Sequence, residues 1–158
     1  MLDDASAKCW GNNDYSQLGF NDGTIDVGAE RGVVAISAGA EHTCVLDDYG
    51  SAKCWGRNQY GQLGYGDASS RGDGAEMSAI DVGGGRSVMS ISAGAYHTCA
   101  VLDGGTAKCW GGNMYGQLGY GDQTNRGDDQ GEMGASLQAI DVGEGRTVVS
   151  ISAGLRHT

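Results

Sequence analysis

The sequence predicts an all-β fold built from repeats, and two observations lead to this prediction. The tripeptide Cys-Trp-Gly occurs three times, and its tryptophans, Trp10, Trp55 and Trp110, are 45 and 55 residues apart. Self-similarity at a spacing of roughly 20–50 residues marks a repeat architecture. The 158 residues also contain 30 glycines and no proline. Because the glycines recur at fixed points of each repeat and leave short segments between them, they indicate turns between strands rather than helices.

Four short strands are predicted in each repeat. The first strand lies at residues 34–38, 88–93 and 148–153, which are three copies of one pattern. The other predicted strands are second strands at 42–46 and 97–102, third strands at 52–55 and 107–110, and fourth strands at 25–27, 80–82 and 140–142. This succession predicts β-propeller blades made of short antiparallel four-stranded sheets. A solenoid, whose units are usually shorter, is the alternative.

The repeats divide the chain into about three blades of a partial, open propeller. We predict one repeat domain over residues 1–158, with a partial blade at 1–23, blades at 24–66 and 79–121, a partial blade at 139–158, and loops at 67–78 and 122–138. The loops hold the length differences between repeats, as expected of a fixed scaffold with variable surface loops. Because closed propellers have about four to eight blades, we expect a fragment of a longer propeller or half of a dimeric ring.

Four of the five cysteines form two pairs that flank hairpin turns. If the hairpins are centred on residues 49 and 104, Cys44 lies opposite Cys54 and Cys99 lies opposite Cys109. Directly opposed residues have Cβ atoms ~4.5–5.5 Å apart, which is close to the separation that a disulfide needs. We therefore predict the disulfides Cys44–Cys54 and Cys99–Cys109.

Cys9 is expected to be a free thiol, because the strand that would carry its partner is missing from the sequence. Two other interpretations of the paired cysteines stay open. They are buried reduced thiols or, with His42 and His97, zinc ligands, although a structural zinc site has four ligands and no fourth recurs. Disulfides indicate an oxidising compartment. We therefore expect the longer parent to be secreted, and a cytoplasmic location if the cysteines are reduced.

The charge balance excludes several classes of partner. The chain has 20 acidic and 10 basic side chains, a net charge of −10, whereas nucleic acids and anionic lipids bind positive surfaces. No apolar run approaches the ~20 residues of a membrane span, and the first residues lack the features of a signal peptide. We expect a protein partner of unknown identity, with no nucleic acid, no membrane and no cofactor.

One unit recurs almost unchanged at residues 37–67 and 92–121. It reads Ser-Ala-Gly-Ala-Glu-His-Thr-Cys, then Lys-Cys-Trp-Gly, then Asn-Gln-Tyr-Gly-Gln-Leu-Gly and Gly-Asp. This unit resembles the regulator of chromosome condensation repeat, and the resemblance implies a β-propeller. The same superfamily includes a secreted β-lactamase-inhibitor propeller. The form with paired cysteines resembles multi-repeat bacterial and algal proteins.

The resemblance also implies an alternative function. The founding member of the family is a guanine-nucleotide exchange factor for a small GTPase and binds chromatin. Exchange needs one face of a complete propeller and loops that have no counterpart here, and chromatin binding needs basic segments. An exchange factor or regulator of a small GTPase is therefore the alternative to the function proposed from the residues.

The variable loops contain two further motifs. Arg-Gly-Asp, an adhesion tripeptide, occurs at residues 71–73 and 126–128, and a repeat-encoded turn with a local Arg–Asp contact is the simpler explanation. Acidic side chains in the loops 67–76 and 122–132 offer oxygen ligands for calcium, or they form solvated acidic loops. A calcium-dependent adhesion or lectin-like module is the second alternative function.

Positions that differ between otherwise similar repeats are the candidate partner-binding residues. Glu41, Tyr96 and Arg156 occupy one such position, just before the histidine of each repeat. Arg57, just after Trp-Gly, and Met114, two residues further along the repeat, occupy two others. No catalytic pair stands apart from the repeat. We therefore expect a non-enzymatic scaffold for protein–protein interaction, with these side chains as contacts.

The open ends of the blade array predict self-association. The expected uncovered surfaces are strand edges at Trp10 and His157 and apolar flanks lined by Val34, Ile36, Val88, Ile91, Val149 and Ile151. Repeats bury such faces only against a neighbour, and free strand edges pair readily with other chains. We expect the isolated chain to dimerise through its ends or to be poorly stable.

Overall fold

The fold of the protein is all-β, as predicted. The computed structural model describes residues 1–2, 4–19, 24–25, 27–28, 31–72 and 78–158. The strands in these ranges are β1 (Ala7–Lys8), β2 (Thr24–Ile25), β3 (Val33–Ala38), β4 (His42–Asp47), β5 (Ala52–Gly56), β6 (Val88–Ala93), β7 (His97–Leu102) and β8 (Ala107–Gly111). Across the described ranges, no helix is long and apolar enough to span a bilayer.

The strands form antiparallel sheets that repeat one design. In the described residues, β3, β4 and β5 make one three-stranded sheet, β6, β7 and β8 make a second, and β1 pairs with β2. The two larger sheets share their register, and the first strand of each has a β-bulge near its start. β4 and β7 are the central strands and are buried at every residue. The chain is thus an open, incomplete array of propeller blades.

The fourth strand of the blade is weaker than predicted. The amides of Ile80 and Ile140 each donate one hydrogen bond of 2.8 Å to the preceding third strand, β5 or β8, but no ladder follows at residues 80–82 or 140–142. The backbone of the first of these segments is bonded elsewhere. The carbonyl of Asp81 accepts from the Gly134 amide at 3.0 Å, and the carbonyl of Val82 accepts from Lys108 Nζ at 2.7 Å.

The third copy of the first strand also departs from the prediction. Residues 148–153 form no strand, because only the first two residues of the strand that would pair with them, His157 and Thr158, are part of this sequence. The segment nevertheless lies against the second blade as β6 lies against the first. The Val148 amide donates to the Gly105 carbonyl at 2.7 Å, and the Ala153 amide donates to Ser92 Oγ at 2.9 Å.

The hydrophobic core lies between successive repeats. Trp55 and Trp110 are 2% and 0% exposed, and each packs among apolar side chains that include those of the preceding repeat. Their indole Nε1 atoms donate to the carbonyls of Gln17 and Gln62 at 3.0 and 3.1 Å. Gly64 allows this contact, since a Cβ there would lie 2.7 Å from the Trp110 Nε1 atom. Each buried indole contributes a large apolar area to the packing between repeats.

Both predicted disulfides are present. Cys44 is bonded to Cys54 and Cys99 to Cys109, with Cα–Cα distances of 4.1 Å, and each pair is directly opposed in its hairpin. The reduced-thiol and zinc interpretations are therefore wrong, since a sulfur in a disulfide is not a thiolate ligand. Cys9 is the free cysteine, and burial raises the pKa of its thiol.

The predicted apolar flanks need correction. Val88 and Ile91 are 3% and 9% exposed and belong to the core between blades. Val34 and Val149 are exposed at 48% and 91%, but Met89, the equivalent residue inside the array, is also 64% exposed. This position therefore faces solvent in every repeat, and its exposure does not come from a missing neighbour.

Removal of one disulfide provides a test of the hairpin register. We expect a Cys99→Ala/Cys109→Ala double variant to lose about 2–3 kcal/mol of unfolding free energy, because the crosslink restricts the unfolded chain. Urea denaturation followed by far-UV circular dichroism measures the loss. Cys9→Ala is the matched control and should cost no more than about 1 kcal/mol, because Cys9 is only partly buried and forms no crosslink. Equal losses in the two variants would contradict the assignment.

Candidate protein-binding face

One face of the array presents an aromatic contact at each junction between repeats. Tyr15 lies under the guanidinium of Arg57, with 4.8 Å between Cζ and the ring centroid. At the next junction the rings of Tyr60 and Tyr96 meet edge to face at 5.6 Å. At the third, the Arg156 guanidinium lies 4.5 Å from the Tyr115 ring centroid. A tyrosine of each repeat thus contacts a variable residue of the following one.

Buried amide side chains fix the turns that present these tyrosines. Asn58 is fully buried; its Oδ1 accepts from the Leu63 amide at 2.8 Å, and its Nδ2 donates to the Asp67 carbonyl at 2.7 Å. Gln62 Oε1 accepts from the Tyr60 amide at 3.0 Å. The same bonds recur one repeat later, made by Asn113 and Gln117. The sequence patterns did not lead us to these buried amides, although the same Asn and Gln occur at these positions in every repeat.

A groove opens between the second and third junctions. We call it the aromatic groove; its volume is about 310 Å³, and it is lined by Tyr60, Tyr96, Gly112, Asn113, Met114, Tyr115, Gln117, Asn125, Leu155 and Arg156. Three predicted contact residues, Tyr96, Met114 and Arg156, converge here. Met114 and Leu155 are both 64% exposed. The groove therefore combines exposed apolar side chains with a cation at its rim.

The other two predicted contact residues lie at the preceding junction and pair with each other. Arg57 Nη1 is 2.6 Å from Glu41 Oε2, and both side chains are 25% exposed. The hydrogen bond that Arg57 donates to Glu41 raises the pKa of Arg57. Arg57 fills the space beside Tyr15, whereas its equivalent at the next junction is Gly112, which lines the groove. Gly112 therefore has no side chain to occupy the space that Arg57 takes at the preceding junction.

The repeated histidines are structural. His42 and His97 are 1% and 0% exposed, and His42 Nε2 lies 2.9 Å from Thr98 Oγ1. Because Thr98 Oγ1 donates its own hydrogen to the Gln62 carbonyl, it accepts from His42, which therefore carries a hydrogen on Nε2. Burial lowers the pKa of His42 to about 3 and that of His97 to about 4. Both rings are enclosed and uncharged, which does not suit a general acid or base that meets substrate.

The acidic loops and the Arg-Gly-Asp motifs have local structural roles. Arg71 and Arg126 each form an ion pair with the aspartate four residues earlier, Asp67 or Asp122. Each of these local contacts thus joins the arginine to the aspartate of the preceding Gly-Asp. Glu132 Oε2 accepts from the Gly127 and Asp129 amides. Asp73 and Glu76 lie outside the described residues. In the described ranges, no three His, Cys, Asp or Glu side chains converge in a way that suits a metal ion.

The blade sheets, the inter-repeat tryptophans and the open ends define a propeller-type repeat protein. The sequence profile described as "Regulator of chromosome condensation (RCC1) repeat" matches residues 33–62 and 88–117, and a second profile with the same description matches residues 50–101. Together these matches extend over more than half of the chain. The protein belongs to the regulator of chromosome condensation repeat family.

Three proteins of similar sequence or structure are each longer than this chain, which spans less than half of their length. It is 40% identical over 73 residues to the ultraviolet-B receptor UVR8 of Arabidopsis thaliana, a match that covers 46% of this chain and 15% of that protein. The structure of Prp20p from Saccharomyces cerevisiae aligns with a TM-score of 0.74 and 19% identity, over 98% of this chain and 39% of that one. Human WBSCR16 aligns with a TM-score of 0.73 and 21% identity, over 97% of this chain and 39% of that one. At these identities the two structures show a shared fold.

The buried histidines predict a loss of stability in mild acid. The folded-state pKa of His42, about 3, lies below the ordinary value of ~6.5, so the unfolded chain binds a proton more readily. The stability from neutral His42 is complete above about pH 6.5 and is lost as the pH falls toward 3.

We expect His42 alone to lower the unfolding free energy by about 2 kcal/mol between pH 7 and pH 5, with His97 acting in the same direction. Urea denaturation at the two pH values measures the change. A His42→Gln variant should show a smaller decrease, because glutamine does not titrate in this range. An unchanged pH dependence in that variant would show that His42 is not the origin.

Proposed function

We propose that the protein is a non-enzymatic scaffold that binds a protein partner through the aromatic groove. The observation that carries the proposal is Gly112, which stands where the preceding junction has the side chain of Arg57 packed against Tyr15. It leaves an opening of about 310 Å³ among side chains that include Tyr60, Tyr96 and Tyr115. Tyrosine, methionine and arginine are enriched in protein–protein contacts, and all three types line this groove.

The rigidity of the groove supports the same function. Tyr60 and Tyr115 lie on turns held by the buried Asn58 and Asn113, and Gln62 and Gln117 bond the tyrosine amides. A surface that is ordered before binding avoids the entropic cost of ordering side chains in the complex. The groove is therefore suited to receive one side chain of a partner without rearrangement.

The chemistry of the groove defines the partner segment. Its walls are aromatic and apolar and favour an aliphatic or aromatic side chain. Arg156 lies at the rim against Tyr115, and the described residues give it no ion-pair partner. Its free guanidinium donors favour a carboxylate. We propose a partner segment in which an apolar anchor stands next to Asp or Glu.

The proposal also includes the blade boundaries that contain the groove and the cellular compartment of the protein. We assign the groove to the junction between the blades at 24–66 and 79–121, together with residues 155–156 of the partial blade at 139–158. The disulfides Cys44–Cys54 and Cys99–Cys109 favour an oxidising compartment.

Regulation of a small GTPase remains the alternative function, supported by family membership. A nucleotide-release assay with the full-length parent and a panel of GTPases distinguishes this function from that of a scaffold.

A matched pair of arginine substitutions tests the binding site. Peptides are selected from a random library displayed on phage against the wild-type chain, and their Kd values are measured by fluorescence anisotropy. We expect Gly112→Arg to fill the groove, as Arg57 fills the preceding junction, and to weaken the selected peptides at least tenfold, or about 1.4 kcal/mol. Met89→Arg adds the same charge at a solvent-facing strand position and should leave Kd unchanged.

The sequences of the selected peptides provide the second readout. We expect an apolar residue adjacent to Asp or Glu, and we expect Arg156→Ala to weaken the acidic peptides more than neutral ones. Peptides that bind wild type and Gly112→Arg equally would place the binding surface elsewhere and contradict the proposal.

A further inference from the structure

Three equivalent tryptophan pockets occur along the chain, and the third is open. The first two hold Trp55 and Trp110, each from the repeat that follows the pocket. At the third position there is a cavity of about 410 Å³. Trp10, the remaining tryptophan, is 85% exposed. The chain thus has one unfilled pocket and one unburied indole, at opposite ends of the array.

The open pocket has the same walls as the pocket that holds Trp110. The core around Trp110 includes Ala52, Leu63, Ile80, Val82, Val88 and Ile91. The open cavity is lined by the residues at the equivalent repeat positions, Ala107, Leu118, Ile140, Val142, Val148 and Ile151. All six residue types are identical in the two sets. The glycine of the turn is also repeated, since Gly119 corresponds to Gly64.

The hydrogen-bond acceptor for an indole is also in place. In the filled pocket the Gln62 carbonyl accepts from Thr98 Oγ1 at 2.8 Å and from Trp110 Nε1 at 3.1 Å. At the open pocket the Gln117 carbonyl accepts from Thr158 Oγ1 at 2.8 Å, and within the described residues no indole donates to it. A carbonyl oxygen has two lone pairs, so this oxygen can still accept the bond that a tryptophan would donate.

We propose that the open pocket binds Trp10 of a second copy of this chain. Trp10 follows β1 within a Lys-Cys-Trp-Gly segment, and Trp55 and Trp110 stand in the same segment of their repeats. Its side chain therefore has the local sequence that the pocket accepts elsewhere in the chain. The two filled pockets each hold an indole from the third strand of a blade, and we expect the open pocket to hold the same group.

The strand register supports the same pairing. Thr43 lies opposite Trp55, and Thr98 lies opposite Trp110. By the same register, Thr158 of one copy lies opposite Trp10 of the other, and His157 lies opposite Gly11. The segment at 148–153 and the β1–β2 pair of the second copy then stand at the first, third and fourth strand positions of one blade, with only His157 and Thr158 at the second position.

The resulting contact is heterologous, because the two copies contribute different surfaces. Such contacts close into rings or extend into filaments, according to the rotation between copies. Two copies with about three blades each reach six blades, within the range of about four to eight found in closed propellers. Both copies carry a net charge of −10, so added salt should strengthen association by screening their repulsion.

Sedimentation velocity and tryptophan fluorescence of the full 158-residue chain test the proposal. We expect wild type to associate as its concentration rises, with a blue shift in tryptophan emission. The shift reports the burial of Trp10, because the indoles of Trp55 and Trp110 are buried before association. Trp10→Ala removes the inserted side chain, and Val142→Glu places a charge in the pocket at a residue that is 38% exposed. Each variant alone should associate at least tenfold more weakly. Met89→Glu adds the same charge outside the pocket and should behave as wild type.

Mixing the two variants gives the decisive comparison. Trp10→Ala retains an intact pocket and Val142→Glu retains Trp10, so an equimolar mixture should form a one-to-one dimer that neither variant forms alone. Urea denaturation establishes that both variants fold. A mixture that stays monomeric, or a Trp10→Ala variant that associates as well as wild type, overturns the proposal. So does a monomeric wild type at all concentrations, which would leave the pocket to a neighbouring repeat of a longer chain.

Discussion

The insertion of an indole from one repeat into the preceding repeat is the contact on which the rest of the structure depends. Trp55 and Trp110 combine an apolar ring, enclosed by side chains that include those of the preceding repeat, with a hydrogen bond to the carbonyl of Gln17 or Gln62. The turn that supplies this carbonyl ends in glycine in both repeats, and a Cβ at Gly64 would lie 2.7 Å from the Trp110 Nε1 atom. Each repeat therefore completes its core only when a neighbour is present.

The sequence was sufficient for the hairpins, because local geometry decides their register. A turn centred on residue 49 or 104 places the cysteines opposite each other. The alternation of side chains along each strand then determines which residues share a face of the sheet. The fourth strand depended on distant contacts instead. The Asp81 carbonyl bonds Gly134 in a loop about fifty residues later, and no local pattern encodes this bond. The exposure of Val34 was misinterpreted for a similar reason, since only the structure shows that the equivalent Met89 faces solvent.

The candidate site was partly visible in the sequence. Tyr96, Met114 and Arg156 stood out because they vary within a nearly constant frame, and the structure brings these three together. Glu41 and Arg57 varied in the same way, but their opposite charges lead them to pair with each other. Gly112 shares the variable position of Arg57, but the sequence did not indicate that a residue without a side chain would leave a groove there. The effect of a missing side chain is apparent only when its neighbours are placed.

The near-identity of the tryptophan pockets has a consequence for how such proteins change length. A duplicated repeat brings one new indole and one new pocket, so it fits at any point of the array and leaves the two terminal surfaces as they were. Copy number can therefore change without redesign of a single contact. Each added repeat also creates one new junction, and the residues at its variable positions, such as Arg57 or Gly112, decide whether that junction is filled or open. The binding properties of each junction can therefore change independently of those of the other junctions.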